Sequence, residues 1–518
     1  MKYKLLLLSF LITLLQTACT PNRYVDALSP EDALKSFDLN SEFNIEIFAS
    51  EPVIMDPVDL VFDEKGRAFV VEMPDYPFKP EQGKGLGKIK MLTDTDGDGR
   101  MDKATIFAEN ISEATSVLPW KGGLLVTAAP NIWYMKDTSG DGKADVKEIL
   151  FQGFFENNSE AQITNLRFGV DNWIYASNHG QAGTVTAIKG NKQKELDMRG
   201  ADFRFRMDTD EFEQETGNAQ FGQTFDDFGH RFMTENSVRI RQAVIAWRYA
   251  HRNKFMAAKS GVLDISDKDN TMYQVTPAPY WRAERTKRRN KQYQEQGLDR
   301  IEYAEDYFTG ASGGTVYTGH TFPEAYQGNY FVGDVAGSLI HRDLLIPDSI
   351  SPAFQALRDT KVEDHKEFLS SSDPWFRPAN FTVGPDGALY VIDFYRQHIE
   401  TPVSIPDDLK ADMDFMNGSD RGRIYKITPK NPAQESTELK DLSTVTAAEL
   451  VELLAHPNQW YRLNAQRLLL ERQDKSVVPQ LKEMMAVASP KAKLHAFYVL
   501  EGLKRCWWIT MRVYGNMV

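Results

Sequence analysis

Asp94, Asp96 and Asp98, followed by Gly99 and closed by Asp102, set carboxylates at alternate positions along TDTDGDGRMD. That spacing lets a loop wrap oxygen ligands around a hard cation, with the backbone carbonyl of Arg100 at the seventh position, and calcium takes about six to eight such ligands. Forty-three residues further on, Asp137, Ser139, Asp141 and Asp145 repeat the pattern, with the carbonyl of Lys143 at the seventh place and a hydroxyl replacing one carboxylate. The second loop is expected to bind more weakly. An EF-hand needs a bidentate glutamate at position 12, where the first loop has Thr105 and the second Glu148. Strand-like residues, Ala104 to Phe107 and Lys147 to Leu150, follow both loops in place of helices. The reading is therefore a pair of calcium hairpins that stabilise the fold and do no catalysis.

Groups able to move protons or hold a polar ligand are more scattered. His179 lies in the loop Ser177 to Gln181, His230 and Arg231 are adjacent, and the run Trp247 to Arg252 pairs His251 with two arginines. Each could cradle a sugar or an anion, and each could equally be a hydrogen-bonded loop residue. Asp393 and Arg396 end a strand that could face a central channel. No serine–histidine–aspartate order, P-loop or dinucleotide fingerprint is present.

The elements that must position these residues are short strands separated by Asp/Gly turns. Residues 59–71, 165–177 and 380–393 each read as apolar strand, turn and second apolar strand, a hairpin signature. Hairpins of one type, with the forty-three-residue period of the acidic loops, predict radial repetition. The expected fold is mainly β: a β-propeller over residues 41–430 with six four-stranded blades, seven being the alternative. Residues 431–440 read as a linker. From 441 to 505 the apolar spacing becomes helical, and two antiparallel pairs resemble truncated HEAT-like repeats. Residues 506–518 break that pattern and read as an aberrant tail.

Lys2 and Lys4 precede an apolar run from Leu5 to Leu15, too short to span a bilayer and suited to a signal peptide over residues 1–18. The run ends in Ala18-Cys19, similar to a bacterial lipobox, although Gln16 departs from the usual aliphatic residue. Lipidation at Cys19 would make residues 19–40 a tether from a membrane, placing an exported protein in the periplasm or on the cell surface. Cys506 is the one other cysteine, so no disulfide framework, cysteine-rich zinc site or haem attachment motif exists in this chain. A net charge of −13 argues against nucleic acid as a partner. The basic run Arg282 to Lys291 reads as a solvated face.

Three stretches carry a family resemblance: FNIEIFASEPVIMDPVDLVFDEKGRAFVVEMPDYP, WFRPANFTVGPDGALYVIDFYRQHIETP, and SDRGRIYKITP with the later AHPNQWYRLNAQRLLLER. They resemble bacterial proteins described as membrane-bound dehydrogenases, which join a propeller similar to soluble glucose/sorbosone dehydrogenase to HEAT-like repeats and often to a cytochrome c module. The resemblance implies oxidation of a sugar or alcohol with pyrroloquinoline quinone, and electrons passed to a cytochrome c. In those enzymes a histidine acts as base just before the strand whose counterpart is Leu166 to Gly169. Here Glu160, Ala161 and Gln162 stand there instead. His179 is the substitute base that the resemblance suggests, with Arg167, Asn178, Gln181, His230 and Arg231 as cofactor-binding candidates. The alternative is a non-catalytic, calcium-stabilised platform for carbohydrate or protein in the cell envelope.

Overall fold

The computed structural model describes residues 23–504, apart from 82, 191, 254, 256–259, 267–269 and 437–438. The segment read as a signal peptide, Cys19, Cys506 and the segment read as a tail therefore lie outside the described residues. Six antiparallel sheets account for the strands from 37 to 429. Their first strands, Pro57–Phe62, Ala114–Trp120, Thr164–Phe168, Gln223–Phe225, Ala311–Val316 and Pro378–Val383, pack in succession, and the last meets the first to close a ring. This is a six-bladed propeller. Blade 6 is completed by strand Phe43–Ser50, which precedes blade 1 in the chain and pairs with Arg423–Pro429, tying the two ends of the ring together. Blades 2 and 5 each grow to six strands, two more than the four predicted.

The inner hairpins form for local reasons. In blade 1 the strands Pro57–Phe62 and Ala68–Glu72 bury Leu60, Phe62, Ala68 and Val70, and the turn between them is made by Asp63. Its carboxylate accepts the backbone N–H groups of Lys65 and Arg67, and Gly66 supplies the left-handed conformation at φ 75°. Blades 3 and 6 use a common variant in which Tyr175 and Tyr390 donate to Asp171 and Asp386 four residues earlier.

Strand direction then fixes the two faces. The inner strands begin at one mouth of the channel, and both acidic loops join the third and fourth strands of blades 1 and 2 at the other face.

Helices Ala447–Leu453, Gln459–Arg472, Val478–Val487 and Pro490–Gly502 share one core built on Leu450, Tyr461, Leu469, Leu481 and Val499. They do more than stack on each other. Helix Gln459–Arg472 and the residues next to it lie across the far mouth and bond to the first hairpin turn of every blade. Arg467 pairs with Glu64, Glu471 accepts from Lys121 N–H, Gln466 donates to the Val170 carbonyl, and Gln459 donates to the Asp226 carbonyl. Gln459 N–H reaches the Thr318 carbonyl, while Asn458 donates to the carbonyls of Gly384 and Pro385. The helix is a stopper, so the channel opens at the opposite mouth. Among the described residues no helix is long and apolar enough to cross a membrane.

Candidate functional site

Each blade contributes the start of its inner strand, or the residues just before it, to a cavity of about 200 Å³ at the open mouth, through Val58, Thr115, Asn165, Gln220, Ser312 and Asn380. Most polar side chains of this ring are spent on the seams between blades. Asn380 donates to the Val58 carbonyl and to Asp59, Asn165 accepts from Gln223 N–H, and Ser312 donates to the Pro378 carbonyl. Asp59, wholly buried at 0% exposure, also accepts Val117 N–H, and burial pushes its carboxyl up to about 6. The ring holds the wall rigid and leaves the chemistry to the loops above it.

Those loops bring Glu160 into the wall. The hydroxyl of Tyr76, from the loop after the second strand of blade 1, donates to Glu160 Oε1 at 2.7 Å. Burial raises the Glu160 carboxyl above the usual range, the hydrogen bond from Tyr76 opposes this, and the nearby charge of Glu400 raises it further. Glu400 is itself held by Arg285 at 3.0 Å. Gln162 donates to Glu113 Oε2 at 2.7 Å, which fixes its amide orientation, and its own Oε1 is buried without a hydrogen-bond partner in the cavity wall. Tyr76, Phe221 and Phe394 supply aromatic surface. A carboxylate base held above its ordinary range, beside a small cavity with polar groups among apolar ones, is what this arrangement provides.

The basic run differs from its solvated reading. It forms helix Tyr280–Glu295, and Arg282 and Arg285 point inward at the cavity mouth while Arg288 and Arg289 pair with acids at the surface. Arg282 lines the cavity but donates to the Ala304 carbonyl and to Thr309.

The residues singled out from sequence do not converge on this cavity. His179 follows the second strand of blade 3, outside the cavity wall, and its N–H is bonded to the Ala219 carbonyl. Asn178 is spent on the carbonyls of Gln181 and Ala201, which holds the loop that carries Gln181. Arg231 is buried, bonded to Asp202, Gln223 and the Thr216 carbonyl, and has no reach to a ligand. His230 sits in the turn at the far face, paired with Asp226 at 2.7 Å. Arg167 lines the closed end of the channel beneath the helical stopper. Asp393 and Arg396 are not a pair: Arg396 is held by Asp56, and Asp393 accepts the N–H groups of Arg377 and Tyr395. His251 stacks on Trp247 with ring centroids 3.5 Å apart. Glu160 was visible at the right place in the chain, but a search for histidine passes over it.

At the other face, Asp94, Asp96 and Asp98 bring one oxygen each within 4.8 Å of one another. Asp94 accepts Gly97 and Gly99 N–H, which holds its carboxyl below the usual range, and Asp102 closes the loop on Thr95. Asp137 and Asp145 repeat these bonds with Gly140, Gly142 and Thr138. The left-handed glycines recur as well, at φ 81° and 91° in the first loop and 83° and 85° in the second. Ser139 donates to Asp137 and Asp141 accepts Lys143 N–H, so the loops are copies in conformation as in sequence.

A closed six-bladed propeller with a small cavity at its open mouth defines the class of protein. The chain belongs to the family described as a domain of unknown function, DUF7133, whose model matches residues 29–431. No curated protein matches it in sequence. Among solved structures it is similar to a calcium-containing structure of a Trichoderma reesei carbohydrate-active enzyme of family AA12, at 11% identity and TM-score 0.41, covering 80% of this chain and 100% of that one. The pyranose dehydrogenase PQQ domain from Coprinopsis cinerea matches at 12% identity and TM-score 0.40, covering 76% of this chain and 97% of that one. A glucose dehydrogenase matches at 13% and 0.39, covering 74% and 99%.

Proposed function

We propose that this protein binds a hydroxylated small molecule, a sugar or an alcohol, in the channel cavity, and that Glu160 takes a proton from it. The observation that carries this reading is the Tyr76–Glu160 hydrogen bond in the wall of a cavity closed at its far end. Substrate-hydroxyl deprotonation is the proton half of an alcohol oxidation; the hydride half needs a separate two-electron acceptor, such as an added redox dye or a diffusible quinone. In its fuller form, drawn from the family resemblance, the reading is a dehydrogenase tethered to a membrane through Cys19 and passing electrons to a cytochrome c.

Pyrroloquinoline quinone does not suit this cavity. It is an aromatic tricarboxylate, and its site must supply cationic donors. The wall has the carboxylates of Glu160 and Glu400 against one guanidinium, Arg282, whose Nε and Nη2 are engaged. Arg377 beside it is spent on the carbonyls of Val335, Arg396 and Gln397. No step is therefore written through the quinone. The acidic wall also favours a second reading, a propeller that binds its ligand without oxidising it.

Calorimetry across a panel of sugars and alcohols, run beside dye reduction with and without added quinone and calcium, separates these readings. Binding that Glu160→Gln weakens is expected, with no quinone absorbance retained by the protein. Binding without dye reduction selects the second reading. A panel with no binder at all would sink the proposal.

Calcium at the acidic loops completes it. Because the loops lie on the face opposite the cavity, removing the ion is expected to lower the melting temperature and leave ligand affinity at the cavity unchanged. An ion present at about a hundred times its dissociation constant stabilises by about 2.7 kcal/mol. Melting curves in EDTA and in millimolar calcium check this, and identical curves would speak against an ion.

A further inference from the structure

Taking the channel cavity as the ligand site, as the reading above requires, we infer that its ligand is an organic cation: a hydroxylated amine such as an amino sugar or amino alcohol.

The argument is one of complementarity at the Glu160 end of the cavity. Among the described residues Glu160 has hydroxyl partners and no ion pair: Tyr76 donates to it, and the Thr401 side chain bonds to it. The charge that acts on it is a like one, that of Glu400. Glu400 has its own compensation in Arg285, whereas Glu160 has none. A half-buried carboxylate beside another carboxylate is a site short of one positive charge.

The second observation is independent of the acids. Gln162 is only 3% exposed, lines the cavity, and has an Oε1 with no partner, because Glu113 fixes its amide nitrogen on the other side. Buried acceptors are rarely left unmet, so this one calls for a donor from the ligand. Two residues with acceptor groups thus line one cavity, Glu160 through its carboxylate and Gln162 with its unpartnered amide oxygen. Several donors nearby are committed: the Tyr76 hydroxyl on Glu160, the Gln220 amide on the Glu160 carbonyl, and Arg282 Nε and Nη2 on Ala304 and Thr309.

An ammonium group brings three donors and the missing charge together. The rings of Tyr76, Phe221 and Phe394 in the same wall add surface on which a cation is favoured over an anion. Hydroxyl groups elsewhere on the ligand can donate to the seam hydroxyl oxygens of Thr115 and Ser312, whose own protons are spent on the Ile163 and Pro378 carbonyls.

Three probes with one sugar skeleton and different charge test this: glucosamine, glucose and glucuronate, with N-acetylglucosamine as the neutral control for the substituent. Calorimetry at low and at physiological salt is expected to rank glucosamine about tenfold or more above glucose, as a charge-assisted contact allows. N-acetylglucosamine should behave as glucose does, and glucuronate should not bind. In Glu160→Gln the ratio of glucosamine to glucose affinity falls to near unity. Glu160→Asp, which keeps the charge, retains a preference, so a folding defect in the first variant does not decide the matter. Glucose binding as tightly as glucosamine, or glucuronate binding best, overturns the cationic assignment while leaving the cavity as a sugar site. Failure of all four probes to bind overturns that reading and this inference together.

Discussion

Glu160→Gln is expected to lower kcat/KM for the preferred alcohol or sugar by about 10²–10⁴, the usual loss when a positioned general base is removed. Glutamine keeps the size of the side chain and can still accept the hydrogen bond from Tyr76, so the wall keeps its shape and only the ability to take a proton disappears. The pH profile gives a sharper test, because two neighbours push the Glu160 carboxyl in opposite directions. The base works when ionised, so the rate rises with pH through the carboxyl's own titration, and that acid limb lies above the ordinary carboxylate range. Tyr76→Phe removes a bond that favours the ionised form, and the limb moves to higher pH. Glu400→Gln removes a like charge, and the limb moves to lower pH. Rates measured from pH 4 to 9 in the three variants check both signs. Two shifts in the same direction, or a Glu160→Gln enzyme as fast as wild type, would exclude Glu160 as the base.

The propeller was legible in the chain because its signals are local. Residues 59–71, 165–177 and 380–393 became the inner hairpins of blades 1, 3 and 6, and each is closed by an Asp or Asn with a left-handed residue at the turn. The acidic loops fell at one structural position in adjacent blades for a related reason: their glycines and carboxylates satisfy their own backbone. Blade 4 left a weaker trace. Its inner strand, Gln223–Phe225, is three residues long, and the chain from 265 to 310 is an insertion before blade 5. The cavity was not legible. Tyr76 and Glu160 are 84 residues apart and meet only because the ring closes and brings separate loops to one mouth. Arg231 illustrates the opposite error. Beside His230 it looks like a ligand cradle, yet its partner Asp202 comes from another blade, and nothing near it in sequence announces that the pair will be buried. A buried salt bridge and a binding arginine have the same local sequence.

Asp56→Ala is expected to destabilise the protein by about 3–5 kcal/mol, because it leaves the Arg396 guanidinium buried without its counter-charge. Both side chains are at 0% exposure, and the pair is bidentate, Nε to Oδ1 at 2.6 Å and Nη2 to Oδ2 at 2.9 Å. Its position explains why such a pair is kept. Asp56 precedes the inner strand of blade 1, and Arg396 lies in the long connection after the second strand of blade 6, so the bridge locks the seam where the ring closes. Arg396 also donates to the Phe415 carbonyl, which braces the connection that carries Ile399 and Glu400 into the cavity. The same substitution should therefore weaken ligand binding although Asp56 does not line the cavity. Replacing both partners, Asp56→Leu with Arg396→Met, removes the uncompensated charge and is expected to recover most of the loss in unfolding free energy. Recovery of ligand affinity should lag behind, since the brace to Phe415 is gone. Urea unfolding of the single and double variants, with calorimetry on the same samples, separates the two effects. A double variant as unstable as Asp56→Ala would mean that the seam depends on the bridge's hydrogen bonds and not on the balance of its charges.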